Sequence, residues 1–189
     1  MFECFQTFCQ RLEEMSGSEI MFVSAVQRGF SKASFAVDTN TKMILACDCV
    51  DSNHADVKRI TYLIDDLAGS EFSISYVVAD KGYDAEYVHK EIWERLDAKT
   101  MIPIRNMSKP SKGDTSKKAR GFNRRLMGCN FDKTAYNRRP LVETVNSMIK
   151  RKMGDVVYGK NEASRHKEVL FRCIAHNIRR LMDLGCVIL

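Results

Sequence analysis

Tyr136-Asn137-Arg138-Arg139-Pro140-Leu141-Val142-Glu143-Thr144-Val145-Asn146-Ser147-Met148-Ile149-Lys150-Arg151-Lys152 is the stretch on which the reading of this chain turns. Pro140 has a fixed φ and no N–H to donate, so it sits best in the first turn of a helix, and the residues after it are good to moderate helix formers. The spacing predicts a helix that starts near Arg139. Leu141, Val145, Met148 and the stem of Lys152 recur at i, i+4, i+7 and i+11 and mark its expected buried stripe. At about 100° per residue, Glu143 lies roughly 200° from Leu141, while Arg139 and Lys150 fall within roughly 40° of Glu143. One acid and two bases share a face.

An ordinary solvated face could hold the same residues. Glu143 and Lys150, however, are about 10 Å apart along the axis, too far for a salt bridge. An anionic ligand with a cation explains the alignment better, the carboxylate serving a metal and the bases serving phosphate. Tyr136, Arg139, Glu143 and Lys150 stand at the spacing Y-x2-R-x3-E-x6-K, which resembles the YREK signature of bacterial and archaeal insertion-sequence transposases of the DDE class.

A second stretch agrees. Ser73–Ala79 is a short apolar run with the pattern of a buried strand, and it ends in Asp80-Lys81-Gly82-Tyr83-Asp84, with a helix expected from about Ala85 to Leu96. Ligands of open α/β sheets bind outside the carboxyl ends of strands, where Asp80 stands. A lone Asp there can equally be a cap or turn residue. Ala79-Asp80-Lys81-Gly82-Tyr83-Asp84 is nonetheless similar to the ADKGYD-type motif of the same family, whose first Asp is its second catalytic carboxylate. Lys99–Arg105 fits the next strand, with Pro103 suggesting an edge position, and its MIPIR resembles the IPIR of the family.

The remaining elements follow from period and punctuation. Phe2, Phe5, Phe8, Cys9 and Leu12 suggest a short helical start before Ser16-Gly17-Ser18. Ile20–Val26 reads as a strand and Gln27-Arg28-Gly29 as a turn. Phe30–Asp38 and Lys42–Val50 read as two antiparallel strands joined by Thr39-Asn40-Thr41. Asn53 caps a helix running to about Leu67. Asn161–Leu184 forms a long helix stopped by Gly185, with Val169, Leu170, Cys173, Ile174, Asn177, Ile178 and Leu181 as its inner face. His166 and His176 on that helix read as satisfied or solvent-facing.

Charge is unevenly spread. Residues 101–152 hold 14 of the 30 Lys and Arg but only 3 of the 24 Asp and Glu, so the surplus behind the net +6 lies in one segment. A concentrated positive region beside carboxylates suits a protein that grips a nucleic-acid backbone, although a solubilising loop would share the composition. Residues 106–131 show no helical or strand period and are expected as a mobile basic loop in which Lys117, Lys118, Arg120, Arg124 and Arg125 bind DNA phosphates. The seven cysteines form no metal-spaced CxxC pair and read as reduced thiols, Cys47 and Cys49 as small buried residues on one face of a strand. No apolar run reaches the roughly 18 residues of a membrane span, and the first residues lack signal-peptide character. These features point to a soluble cytoplasmic protein.

The resemblance covers about Phe30 to Leu184. It implies an α/β, RNase H-like mixed sheet with flanking helices, here incomplete at the N-terminus. On this reading residues 1–189 are a single truncated catalytic domain. It implies Asp80 and Glu143 as catalytic and metal ligands for Mg2+ or Mn2+, with Tyr136, Arg139 and Lys150 positioning phosphates. The partner would be double-stranded DNA at transposon ends and target, met at the nucleoid, with a homodimer on DNA left open. One part departs from the pattern: the first catalytic Asp belongs on the strand before the hairpin, and this chain has no Asp before Asp38. The expectation is a domain for DNA strand cleavage and transfer that is inactive alone, the alternative a non-catalytic DNA-binding remnant.

Overall fold

The computed structural model describes residues 18–27, 31–50, 56–105, 107–108, 118–119 and 121–185. The aromatic stripe of residues 2–12 and the bases Lys117 and Arg120 lie outside the described residues.

Five strands form one sheet: β1 (Ser18–Gln27), β2 (Ser31–Asp38), β3 (Ile44–Val50), β4 (Ile74–Ala79) and β5 (Lys99–Met101), in the order β3-β2-β1-β4-β5. The first three are antiparallel neighbours, with Phe22 opposite Ala36 and Phe35 opposite Cys47. β4 runs parallel to β1, Phe22 pairing with Ala79, and β5 runs parallel to β4 at the edge expected from Pro103. The crossovers are α1 (Asp56–Ala68) and α2 (Glu86–Leu96). The chain then forms a short ribbon, β6 (Met107–Ser108) with β7 (Lys118–Ala119), and the helices α3 (Phe122–Cys129), α4 (Lys133–Tyr136), α5 (Pro140–Met153) and α6 (Glu162–Asp183). The sheet and its flanking helices make the RNase H-like arrangement.

Side-chain alternation gives the sheet two buried faces. Ile20, Phe22, Val77 and Ala79 pack with Ile60, Leu63, Ile64 and Leu67 of α1 and Val88 and Ile92 of α2. Met21, Phe35 and Val78 pack with Val142, Val145 and Ile149 of α5 and Val169 and Cys173 of α6. Cys49 is buried and Cys47 packs against this second face, where the Cys173 thiol and burial push the Cys47 thiol up, so both act as small apolar side chains.

Three expectations need correction. The buried stripe of α5 is Val142, Val145 and Ile149, with Leu141 and Met148 only half-buried and Lys152 exposed, because the helix is rotated by about one residue on the sheet. The inner side of α6 is Val169, Arg172, Cys173 and His176, whereas Leu170, Ile174 and Ile178 are about half exposed. Its apolar stripe is wider than the contact, and only one flank meets the edge of β3, where Asn177 bonds both the N–H and the C=O of Ile44 at 2.8 and 2.7 Å. Residues 106–131 are not without structure either, since they contain α3. The inward residues of that helix are Arg124 and Met127, so no apolar period announces it. Ile149→Ala should cost about 2–5 kcal/mol in urea unfolding and Met148→Ala less than half as much; equal losses would contradict the observed rotation of α5.

Candidate active site

β4 ends at Ala79, and Asp80 caps the short turn that follows, its Oδ1 accepting from the Lys81 N–H at 2.6 Å. This is the carboxyl end of a parallel strand beside β1, which leaves the side chain half exposed at the rim of the sheet. Across the rim α5 begins at Pro140, and its first turn carries Glu143. A carboxylate in the first turn faces the positive end of the helix dipole. Arg139, just before Pro140, joins the two: one of its nitrogens, Nη2, lies 3.1 Å from Glu143 Oε1 and 3.7 Å from Asp80 Oδ2. The two carboxylates are therefore separated by no more than those two legs.

The other residues of the signature are placed less centrally. Tyr136 is half-buried, its ring 5.5 Å from that of Phe131, at the border of the second core face. Lys150 lies two turns along α5 from Glu143, and no ion pair links it to either acid among the described residues. Arg125 is exposed on α3, its Nε donating to the Gly121 carbonyl at 3.1 Å. Arg124 is turned inward and forked on Asp84, with Nε to Oδ1 at 2.7 Å and Nη2 to Oδ2 at 2.5 Å. Asp38, the first Asp of the chain, is at the far end of the sheet, where its Oδ2 accepts from the Thr41 N–H and hydroxyl and closes the β2–β3 turn. The one acid on β1, Glu19, is paired with Arg138 at 2.8 Å.

In the sequence Asp84 is only the last residue of the Asp80-Lys81-Gly82-Tyr83-Asp84 motif. It is in fact a hub: its carboxylate has no exposed side-chain surface and also accepts from the Arg105 N–H and lies 3.3 Å from Nε2 of His89. The other ring nitrogen of His89 is 2.7 Å from the Thr100 hydroxyl. Burial pushes the Asp84 carboxyl up, but the Arg124 guanidinium, the Arg105 N–H and His89 outweigh it and hold it below the ordinary carboxylate range. Burial pushes His89 down, against the pull of Asp84. Glu86 is also held low: burial opposes this, but the N–H groups of Asn123 and Arg124 and the Asn123 amide prevail.

A profile of the transposase DDE domain matches residues 24–178, and the chain belongs to that family. Its members carry out DNA transposition, bind DNA and normally use a divalent metal. A search among curated proteins found no match. Asp80 and Glu143 suit such an ion in kind, both being hard oxygen donors. Among the described residues no group of three His, Cys, Asp or Glu that could hold a metal occurs. No helix among those residues is long and apolar enough to cross a membrane.

The hub predicts acid sensitivity. His89 and His176, the latter also lowered by burial, take up a proton less readily folded than unfolded, where the ordinary value is about 6.5. Their stabilisation is complete above that value and is lost as pH falls from it through the lower folded values. Asp84 and Glu86 follow below about 4, by the same sign. The urea midpoint should fall in two stages as pH drops from about 7 to 3, and Asp84→Asn should flatten the lower stage. A midpoint that rises on acidification would contradict this reading.

Proposed function

We propose that the domain holds double-stranded DNA at the rim where β4 ends and α5 begins, for metal-dependent strand cleavage and transfer at insertion-sequence ends. The observation that carries the reading is the Arg139 guanidinium shared by Asp80 and Glu143. Two carboxylates brought this close repel each other, and a cation between them lowers that cost. Asp80 and Glu143 are the residues that would hold Mg2+ or Mn2+, which when bound supplies electrophilic activation of a phosphodiester. Tyr136, Arg139 and Lys150, with the bases Lys117, Lys118, Arg120 and Arg125, supply the contacts to the phosphate backbone. Arg124 is committed to Asp84 and supports the fold instead.

The third carboxylate is the weak point. β1 contains no Asp, and the residue that follows its last parallel pair, as Asp80 follows Ala79, is Val23. This favours a second reading, in which the chain by itself retains DNA without cutting it, as a remnant would.

Mg2+-dependent nicking of plasmid by the wild-type chain supports the first reading, and salt-sensitive retention of DNA without nicking supports the second. The wild-type chain should bind duplex DNA with a steep loss of affinity on adding salt. Arg139→Ala and Lys150→Ala should each weaken it several-fold and lower the salt slope by about 1. Val23→Asp should confer Mg2+-dependent nicking of supercoiled plasmid, abolished by Glu143→Gln with DNA retention kept. Nicking by Val23→Asp that survives Glu143→Gln would sink the assignment of Glu143, and a wild type with no salt-sensitive DNA binding would sink both readings.

A further inference from the structure

Two acids just beyond Asp80 are committed to α3. Asp84 takes both arms of the Arg124 fork and the Arg105 N–H, so the chain leaves for the basic stretch and returns from it at one carboxylate. Glu86, in the first turn of α2, accepts with Oε1 from the N–H and the amide of Asn123 at 2.9 and 3.0 Å, and with Oε2 from the Arg124 N–H at 3.2 Å. α3 starts from Gly121, which offers no side-chain cap, so an acid borrowed from another helix satisfies its first N–H groups and faces the positive end of its dipole. Gly121 makes the approach possible: its φ is +100°, and a Cβ there would collide with the Glu86 carboxyl. With Arg124 turned in, the outer side of α3 carries Arg125 and Phe122, both exposed.

We infer that Asp84 and Glu86 are positioning residues that clamp α3, so that Arg125 meets a DNA phosphate from a fixed place at the foot of the turn headed by Asp80. The inference rests on the DNA-binding reading given above and assigns part of that binding to α3. An unclamped α3 keeps the charge of Arg125, but ordering the helix on DNA then subtracts from the affinity.

A double-mutant cycle on the full chain decides it, with a duplex of about 20 base pairs of mixed sequence as the probe. Arg125→Ala in the wild type should weaken binding several-fold and lower the salt slope by about 1. In the Asp84→Asn background the same change should cost less than about twofold, because the unclamped Arg125 has already lost its contribution. A merely structural Asp84 would give additive losses, which would overturn the proposal. Amide exchange of residues 122–129 should quicken at least about tenfold in Asp84→Asn while β1, β2 and β4 stay protected; unchanged exchange would also overturn it. Glu86→Gln, which keeps the shape, carries the same cycle if Asp84→Asn does not fold. If the wild type binds no DNA, the functional reading fails and takes the DNA role of the clamp with it, whereas quickened exchange in 122–129 would show that the clamp itself is real.

Discussion

The parallel pairing of β4 with β1 is the constraint on which the site depends. Parallel strands bring their carboxyl ends to the same edge, so the residue after Ala79 emerges beside β1. α5 packs on the same sheet through Val142, Val145 and Ile149, and Pro140 fixes where that helix begins. With strand end and helix start both set by core packing, Asp80 and Glu143 come within reach of one guanidinium without any strong bond between them. An antiparallel β4 would send Asp80 to the opposite end of the sheet, where Asp38 serves only a turn.

Two kinds of ion pair then do different work a few residues apart. The Arg139 contacts to Asp80 and Glu143 are largely exposed, and pairs of that kind contribute about 0–1 kcal/mol. They orient groups and stay exchangeable with a ligand. The Asp84–Arg124 fork is buried, and leaving one partner of such a pair alone costs about 3–5 kcal/mol. Within Asp80-Lys81-Gly82-Tyr83-Asp84 the first acid is thus offered to solvent and the last is locked into the scaffold.

Much of this was legible in the sequence, for physical reasons that differ between elements. The strands showed because runs such as Ile-Leu-Ala-Cys-Asp-Cys-Val must be extended to bury their apolar side chains between two helical layers. The Glu143 helix showed because Pro140 marks a first turn. Its rotation did not, since Leu141 and Val142 are both apolar and only the shape of the sheet chooses between them. α3 was missed because its anchor is a charged side chain, and the partner of Arg124 is forty residues away in Asp84. The exposed flank of α6 could not be read either, as hydropathy gives the width of a stripe and not how much of it is covered.

The proposed function puts DNA against the rim shared by Asp80, Arg139 and Glu143, on the α5 side of the sheet. Photo-crosslinking tests this most directly, with a benzophenone side chain placed at exposed Thr144 beside Glu143, and in a second protein at exposed Glu94 of α2, on the other face. DNA held at that rim should give an adduct from position 144, suppressed by added salt, and none from position 94. Equal adducts from both, or an adduct from position 94 alone, would contradict it.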